Sequence, residues 1–344
     1  MGLRKIFPKS AILATCFLQA HSDSSVARRL PRTVTSLYHP RYKELSQPEL
    51  MKECERVFSE DLNVTSEESK YLAESTRLQA QSHVWFEHRK GRLTASKFRA
   101  ICHTSVSKPS RSLVAQILQL NPMPTSAALS WGIEHEKTAR EHYLAVQAKQ
   151  HTSFKLEVTG LCVNPSFPHL GASPDGLVSC SCCGQGVLEI KCPYSVRHTT
   201  PDQAPYLLPT EDGHILSKQH DYYYQIQGQL GILQRQRCDF VCWTPHGIHI
   251  EQIIYDPSFF ATICVKPECF FVQVVLPRVL CGAEKENIGH SSEATGVFCY
   301  CRKGEVGKMV LCDNPSCKYG WFHFSCVNLK SAPEGAWFCP DCKV

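Results

Sequence analysis

Residues 173–195 read SPDGLVSCSCCGQGVLEIKCPYS, and this stretch decides how the larger part of the chain folds. Asp175 closes a Ser-Pro-Asp-Gly turn. Glu189, Ile190 and Lys191 follow in a strand-like run over 186–191, where period-two alternation puts Glu189 and Lys191 on one face. Two carboxylates beside a lysine suit a divalent metal site for phosphodiester cleavage. Oxygens hold Mg²⁺, the ion polarises a phosphate and lowers the pKa of a bound water, and the lysine steadies or orients the nucleophile. A Glu-x-Lys pair by itself is ordinarily a surface ion pair. The Pro-Asp-Gly turn and the glycine-rich approach before it add weight to a site.

Working outward, Thr65 and Glu68 form a capping box, and a helical pattern follows through Tyr71, Leu72 and Leu78. Helical signal recurs over 95–102, 111–120, 130–148 and 218–233. Strand-like runs cover 154–163, 176–178, 186–191, 239–243 and 248–254. Helices, three strands, a helix and more strands imply a mixed α/β core, assigned to residues 46–282 with a helical arm at its N-terminal end. Residues 1–45 read as unstructured, punctuated by Pro31 and Pro40. Within them Arg4, Lys5, Lys9, Arg28, Arg29 and Arg32 face only Asp23 and flank the apolar run 11–18. A mitochondrial presequence or a poor secretory signal has that composition, but a disordered basic tail is the plainer reading. Residues 283–296 turn polar and small, as a linker does. No stretch approaches the length of a membrane-spanning helix, so no membrane partner is expected.

The 344 residues carry a net charge of +5, which permits a nucleic-acid partner without arguing for one. Cysteine is the unusual count, at 20. Seven of them, with one histidine, fall in a metal pattern at the C-terminal end, and the rest lack disulfide-like spacing. That usage points to a reducing compartment, cytosolic or nuclear. The candidate ligands are Cys299, Cys301, Cys312, Cys317, His323, Cys326, Cys339 and Cys342, spaced as Cys-x-Cys, Cys-x4-Cys, His-x2-Cys and Cys-x2-Cys. Zinc takes four thiolate or imidazole ligands, so eight make two Zn²⁺ sites. Residues 297–344 are too few to bury much apolar surface, and the metal supplies much of their folding energy. Cys180, Cys182, Cys183 and Cys192 also tempt a metal reading, but they are better explained as a cysteine-rich hairpin between two core strands. Nothing in the sequence links Cys238 or Cys242 to them.

The stretches GKMVLCDNPSC, YGWFHFSCV and GAWFCPDC resemble a PHD finger, and within that family the fingers of the inhibitor-of-growth proteins. The resemblance implies an interleaved arrangement, with Cys299, Cys301, His323 and Cys326 on one zinc and Cys312, Cys317, Cys339 and Cys342 on the other. It implies a partner too, the histone H3 tail, whose methylated lysine would meet a cage at Phe298, Met309 and Trp321 by cation–π attraction. Asp313 would pair with a basic residue of the tail. Phe298 departs from the tyrosine common in those fingers but keeps a π face, and Trp321 has packing beside His323 as its alternative.

The larger domain resembles the YqaJ viral recombinase or lambda-exonuclease family of PD-(D/E)xK nucleases. The match rests on WFEHRKGRLTASKF (85–98), ALSWGIEHEKTARE (128–141), SPDGLV with LEIKCPYS, and YYYQIQGQL (222–230), in that order. It implies a restriction-endonuclease-like core, a mixed sheet flanked by helices, and Mg²⁺- or Mn²⁺-dependent cleavage at duplex DNA ends, 5′ to 3′. Asp175, Glu189 and the Ile190 carbonyl would bind the metal, with Glu136 completing its shell and Lys191 catalytic. Glu134 faces another side of its helix and reads as a solvated acid. Gln225 would position the lysine or substrate, with Gln227 as next candidate. Arg89 and Ser96 match positions that grip a 5′-phosphate, although a solvated charge and a helix cap are their alternatives; Trp85 reads as core. A homo-oligomer is carried by the resemblance alone. A PHD finger implies a nuclear protein. The rival reading is a catalytically inactive chromatin- or DNA-binding protein that keeps the nuclease fold as a scaffold.

Overall fold

The computed structural model describes residues 29–120, 126–282, 299–301, 309–314, 317, 319–330, 333 and 337–343. In chain order its helices and strands are α1 (Gln47–Arg56), α2 (Ser66–Ser75), α3 (His83–Arg89), β1 (Leu93–Thr94), α4 (Phe98–His103), α5 (Arg111–Ile117) and α6 (Ala127–Gln150). Next come β2 (Lys155–Glu157), β3 (Cys162–Asn164), β4 (Phe167–Ala172), β5 (Gly176–Cys180), β6 (Gly184–Lys191), β7 (Leu207–Thr210) and β8 (Gly213–Leu216). Then follow α7 (Asp221–Leu233), β9 (Arg237–Thr244), β10 (Gly247–Ile254), α8 (Pro257–Phe270), α9 (Leu276–Leu280), β11 (Met309–Leu311) and β12 (Trp321–His323).

A five-stranded sheet in the order β10-β9-β6-β5-β2 organises the larger domain. Its neighbours are antiparallel except β6 and β9, which run parallel. Parallel neighbours need a long crossover, and here the chain makes it through β7, β8 and α7. Helices cover both faces. Leu188 and Ile190 pack with Ala139 and Tyr143 of α6, whereas Val187 packs with Ile226 and Leu230 of α7. Alternation therefore sends Glu189 and Lys191 to the α7 face. Every residue of β9 is buried, as expected for a strand covered on both sides. A smaller sheet, β1-β4-β3, joins the largest core, where α1, α4, α5, α8 and α9 meet. Helix α7 approaches α4 closely because Gly228 has no side chain; a Cβ there would lie 2.9 Å from the Phe98 ring.

The Thr65–Glu68 capping box forms, but α2 stops at Ser75, leaving Leu78 outside it and 69% exposed. The expected single strand over 154–163 divides into β2 and β3, in different sheets. The break is at Gly160, where a Cβ would lie 2.2 Å from Thr76 Oγ1, and where the Leu161 N–H donates to that oxygen at 2.8 Å. The unstructured tail expected over 1–45 is also corrected. Two 3₁₀ turns, Val34–Leu37 and Pro40–Glu44, seat Val34, Leu37 and Tyr42 in the largest core. The basic run before residue 29 and the expected linker lie outside the described residues. Finally, Pro257–Leu280 is long and apolar enough to cross a membrane, contrary to the sequence expectation. Half of its most apolar window is buried, and Phe260, Ile263, Phe270 and Leu276 are core residues.

Beneath the small sheet, His88, Arg92 and His169 are buried together. Arg92 is held by the carbonyls of His88 and Pro168 at 2.8 and 3.0 Å. Burial, with the Arg92 charge adding, lowers the imidazole pKa of His88 to about 4 and of His169 to about 3. Both fold neutral and take up protons on unfolding near pH 6.5, so their contribution is complete above that pH and falls as pH drops toward 4. Between pH 7 and pH 5 each should cost about 2 kcal/mol of stability. Urea midpoints across this range should fall with acid, and His169→Gln should flatten the slope.

Candidate active site and thiolate clusters

Glu189 is 1% exposed, and such a carboxylate needs hydrogen-bond donors. It has three. Lys191 Nζ donates to Oε1 at 2.5 Å, Gln225 Nε2 to the same oxygen at 2.6 Å, and Gln229 Nε2 to Oε2 at 2.7 Å. The first partner lies two residues along β6, and the amides lie one turn apart on α7, facing the sheet. Gln229 was not singled out from the sequence, although its spacing from Gln225 carried the signal. Gln227 points elsewhere: its amide binds the Ile254 carbonyl and the Asp256 N–H, both at 2.9 Å. It ties α7 to the end of β10 and is not at the site.

Asp175 reaches the same end of β6 from the turn before β5. The Ile190 N–H donates to its Oδ2 at 2.6 Å, and its own N–H donates to the Leu188 carbonyl at 3.1 Å. Burial, then the charge of Glu189, push its carboxyl well above the usual range, against the pull of Lys191. Burial works against the Lys191 ammonium, yet Glu189, Tyr222 and Asp175 raise its pKa above the ordinary lysine value. Its Nζ lies 4.8 Å from the centroid of the Tyr222 ring. Two crowded acids, one pushed toward its neutral form by burial and then by the other, are a donor set that a divalent cation would relieve. The residues therefore fit a Mg²⁺-type ion.

Glu136, on α6, bears on Asp175 and Cys192 electrostatically. Its Oε1 accepts from Arg140 at 2.6 Å, and the three acids do not close within 4.8 Å of one another as the thiolate groups do. Glu134 is exposed, as expected of a surface acid.

Arg89 and Trp85 meet at Ser173, two residues before Asp175. Trp85 Nε1 donates to Ser173 Oγ at 3.0 Å, Arg89 Nη1 to the same oxygen at 3.3 Å, and the guanidinium lies 3.9 Å from the indole centroid. Burial lowers the Arg89 pKa to about 10, which leaves it charged at neutral pH. Ser96 is exposed and hydrogen-bonds Thr94 Oγ1 at 3.2 Å. Lys97, not singled out from the sequence, has its pKa lowered by burial and then by the Arg89 charge, so it shares this cationic corner.

In the C-terminal segment, Cys299, Cys301, His323 and Cys326 converge, as do Cys312, Cys317, Cys339 and Cys342, each group with ligand atoms within 4.8 Å of one another. This is the interleaved arrangement that the resemblance implied, and four thiolates, or three thiolates with an imidazole, fit zinc. Strands β11 and β12 pair with Leu311 opposite Trp321 and Met309 opposite His323. Met309 and Trp321 therefore share one face as diagonal neighbours. Phe298 lies outside the described residues. Both Asp313 oxygens are engaged: Oδ1 accepts from the Arg111 N–H at the start of α5 and Oδ2 from the Trp337 N–H, each at 2.6 Å.

Residues 84–236 match the family model of the YqaJ-like viral recombinase domain. A short stretch of the chain matches PHD-finger proteins of the inhibitor-of-growth type. The chromatin modification-related protein YNG2 of Saccharomyces cerevisiae is 49% identical over 55 residues, 16% of this chain and 20% of that protein. The inhibitor of growth protein 1 homolog of Dictyostelium discoideum is 56% identical over 45 residues, 13% and 14% of the two chains. This chain thus spans a fifth or less of the length of these two relatives. Among solved structures, the alkaline exonuclease of Laribacter hongkongensis is 25% identical, covering 55% of this chain and 90% of that one, with a TM-score of 0.40. The shutoff and exonuclease protein of Kaposi's sarcoma-associated herpesvirus is 12% identical, covering 62% and 74%, with a TM-score of 0.41. Residues 84–236 are thus similar to the YqaJ-like viral recombinase domain, and a short stretch of the chain is similar to PHD-finger proteins of the inhibitor-of-growth type.

Removing the Gln229 donor leaves one oxygen of a buried carboxylate unpaired. Gln229→Leu should cost about 1–3 kcal/mol, read as a lower urea midpoint at pH 7, and Gln227→Leu should destabilise without touching the site.

Proposed function

We propose that the larger domain is a Mg²⁺-dependent deoxyribonuclease acting 5′ to 3′ on duplex ends, and that the finger binds the histone H3 tail at methylated lysine. One arrangement carries the nuclease reading: Asp175, Glu189 and Lys191 gathered at one end of the central strands within a YqaJ-like domain. The bound ion would polarise the scissile phosphate and lower the pKa of a water. Asp175 and Glu189 would hold it with the Ile190 carbonyl, and Glu136 would complete the set by leaving Arg140. Gln225 and Gln229 fix the Glu189 carboxylate, so that its position survives loss of the lysine contact. Lys191, kept charged by its neighbours, supplies positive charge where the phosphate gains negative charge. Arg89 and Ser96, with Lys97 beside them, offer donors to a 5′-phosphate. Asp175 and this corner are linked through Ser173, a link that would hold a bound 5′-phosphate at a set distance from the acids.

The finger reading rests on Met309 and Trp321 sharing one face of the β11–β12 pair. The relatives named for chromatin modification accord with a nuclear location.

Linear duplex DNA with 5′-phosphate ends should be degraded when Mg²⁺ is added. Lys191→Ala should lower the rate about a hundredfold to a thousandfold. Equal inertness of folded wild type and variant, in Mn²⁺ as well, would hand the domain to the scaffold reading. Arg89→Ala should shrink the preference for 5′-phosphate over 5′-hydroxyl ends while sparing the cleavage of either. For the finger, an H3 peptide trimethylated on lysine should bind tighter than the unmodified peptide, and Trp321→Ala should erase about 1.4 kcal/mol, or tenfold, of that difference. Equal binding of the two peptides by wild type would sink the reader assignment.

A further inference from the structure

The hairpin joining β5 to β6 closes on itself without help. Cys180 pairs with Gly184, and Gly184 takes the left-handed φ of +71° that ends a three-residue loop. The turn therefore does not explain why it carries three cysteines, nor why they gather around a fourth residue from another element. His151 caps the C-terminal end of α6, its N–H donating to the Gln147 carbonyl at 2.9 Å. Its Nδ1 lies 3.6 Å from Cys180 Sγ, 3.2 Å from Cys182 Sγ and 3.5 Å from Cys183 Sγ. The sulfurs of Cys180 and Cys182 are 3.4 Å apart, and those of Cys182 and Cys183 are 3.7 Å apart.

We propose that His151, Cys180, Cys182 and Cys183 bind a zinc ion, a third in the chain and a structural one. With Zn–S near 2.3 Å and Zn–N near 2.0 Å, the edges of a tetrahedral site are about 3.8 Å between sulfurs and about 3.5 Å from nitrogen to sulfur. The four donors already lie at such distances. The same molecule supplies a comparison, because the two C-terminal groups show the same spacing. Cys301 Sγ and Cys326 Sγ lie 3.2 and 3.9 Å from His323 Nδ1, and the sulfurs of Cys317 and Cys339 are 3.7 Å apart. Separations of this size exclude a disulfide, whose sulfurs are bonded at about 2.05 Å. They suit a single ion better than an iron–sulfur cluster, which spreads its cysteines around several metals. Four protein donors close the coordination shell, which makes the site structural and not catalytic.

Charge and position support it. Three thiolates around Zn²⁺ leave one negative charge, and Arg237 Nη2 lies 3.8 Å from Cys180 Sγ while also binding the Gly184 carbonyl at 3.3 Å. The other arm of Arg237 pairs with Asp239 at 2.9 Å, and Asp239 accepts from Tyr143 of α6. The ion would pin the tip of the β5–β6 hairpin to the end of α6. Those two elements carry Asp175 and Glu189 with Lys191, on one side, and Glu136 on the other, so the staple fixes the frame that holds the acids in place.

The full-length protein, dialysed against zinc-free buffer containing Mg²⁺ to keep zinc off the carboxylates, is assayed for bound zinc. Three ions per chain are expected, and two for Cys182→Ser/Cys183→Ser. A wild-type count of two overturns the proposal, as does a double variant that still holds three. The proposal does not depend on that variant folding. Zinc-bound thiolates resist alkylation, so Cys182 and Cys183, both exposed, should stay unmodified by N-ethylmaleimide until a chelator is added. Their modification at the rate of free thiols, with the zinc in place, overturns it equally.

Discussion

A single buried carboxylate governs much of this domain. Glu189 stands on a strand covered on both faces, where an unpaired charge would cost several kcal/mol. It is tolerated because Lys191 and two glutamine amides reach it, and each donor fixes something. The lysine contact needs the strand extended, and the amides need α7 lying across β6 with Gln225 and Gln229 turned inward. Gly228, between those glutamines in sequence, then lets α4 approach the flank of the helix. The crossover from β6 through α7 to β9 is thus tied to the acid by polar contacts as well as by the apolar packing of Val187, Ile226 and Leu230.

The parts of this arrangement that were legible in the sequence are those written close together. Asp175, Glu189 and Lys191 fall within one turn and hairpin, and period-two alternation is enough to put the acid and the lysine on one face. The long helix α6 and the strands β9 and β10 were equally clear, being periodic runs of ordinary length. What escaped depended on pairs distant in the chain. Gly160 breaks a good strand pattern only because Thr76 occupies the space beside it. Val34 and Tyr42 order a segment that looked like a tail because α9, more than two hundred residues later, gives them a core to join. His151 carried no signal in the sequence because the chain brings it beside the hairpin cysteines only in three dimensions. The finger was legible for the opposite reason: its ligands are so many and so closely spaced that chance gives little competition.

The chain keeps two kinds of donor apart. In the proposed reading the oxygens of Asp175 and Glu189, joined by Glu136 once it leaves Arg140, would take a hard ion, and the sulfur-rich groups would hold a soft one. Between them the structure uses buried polar contacts in place of bulk. Ser173 joins Trp85 and Arg89 to the Asp175 turn, and Gln79 binds the carbonyls of Thr159 and Pro174 at 3.0 and 2.9 Å. The turn that bears Asp175 is therefore held from several directions.

The Asp313 carboxylate has a consequence for the chain as a whole. Its two oxygens bind the backbone at Arg111, in the larger domain, and at Trp337, within the finger. In the proposed reading a basic residue of the histone tail draws on this same carboxylate, whose acceptor capacity is limited. Seating the finger on α5 and filling it with a tail are then linked equilibria. By reciprocity, whatever free energy the tail takes from the seat, the seat takes from the tail. The contact between the finger and α5 would thus respond to tail binding through one side chain.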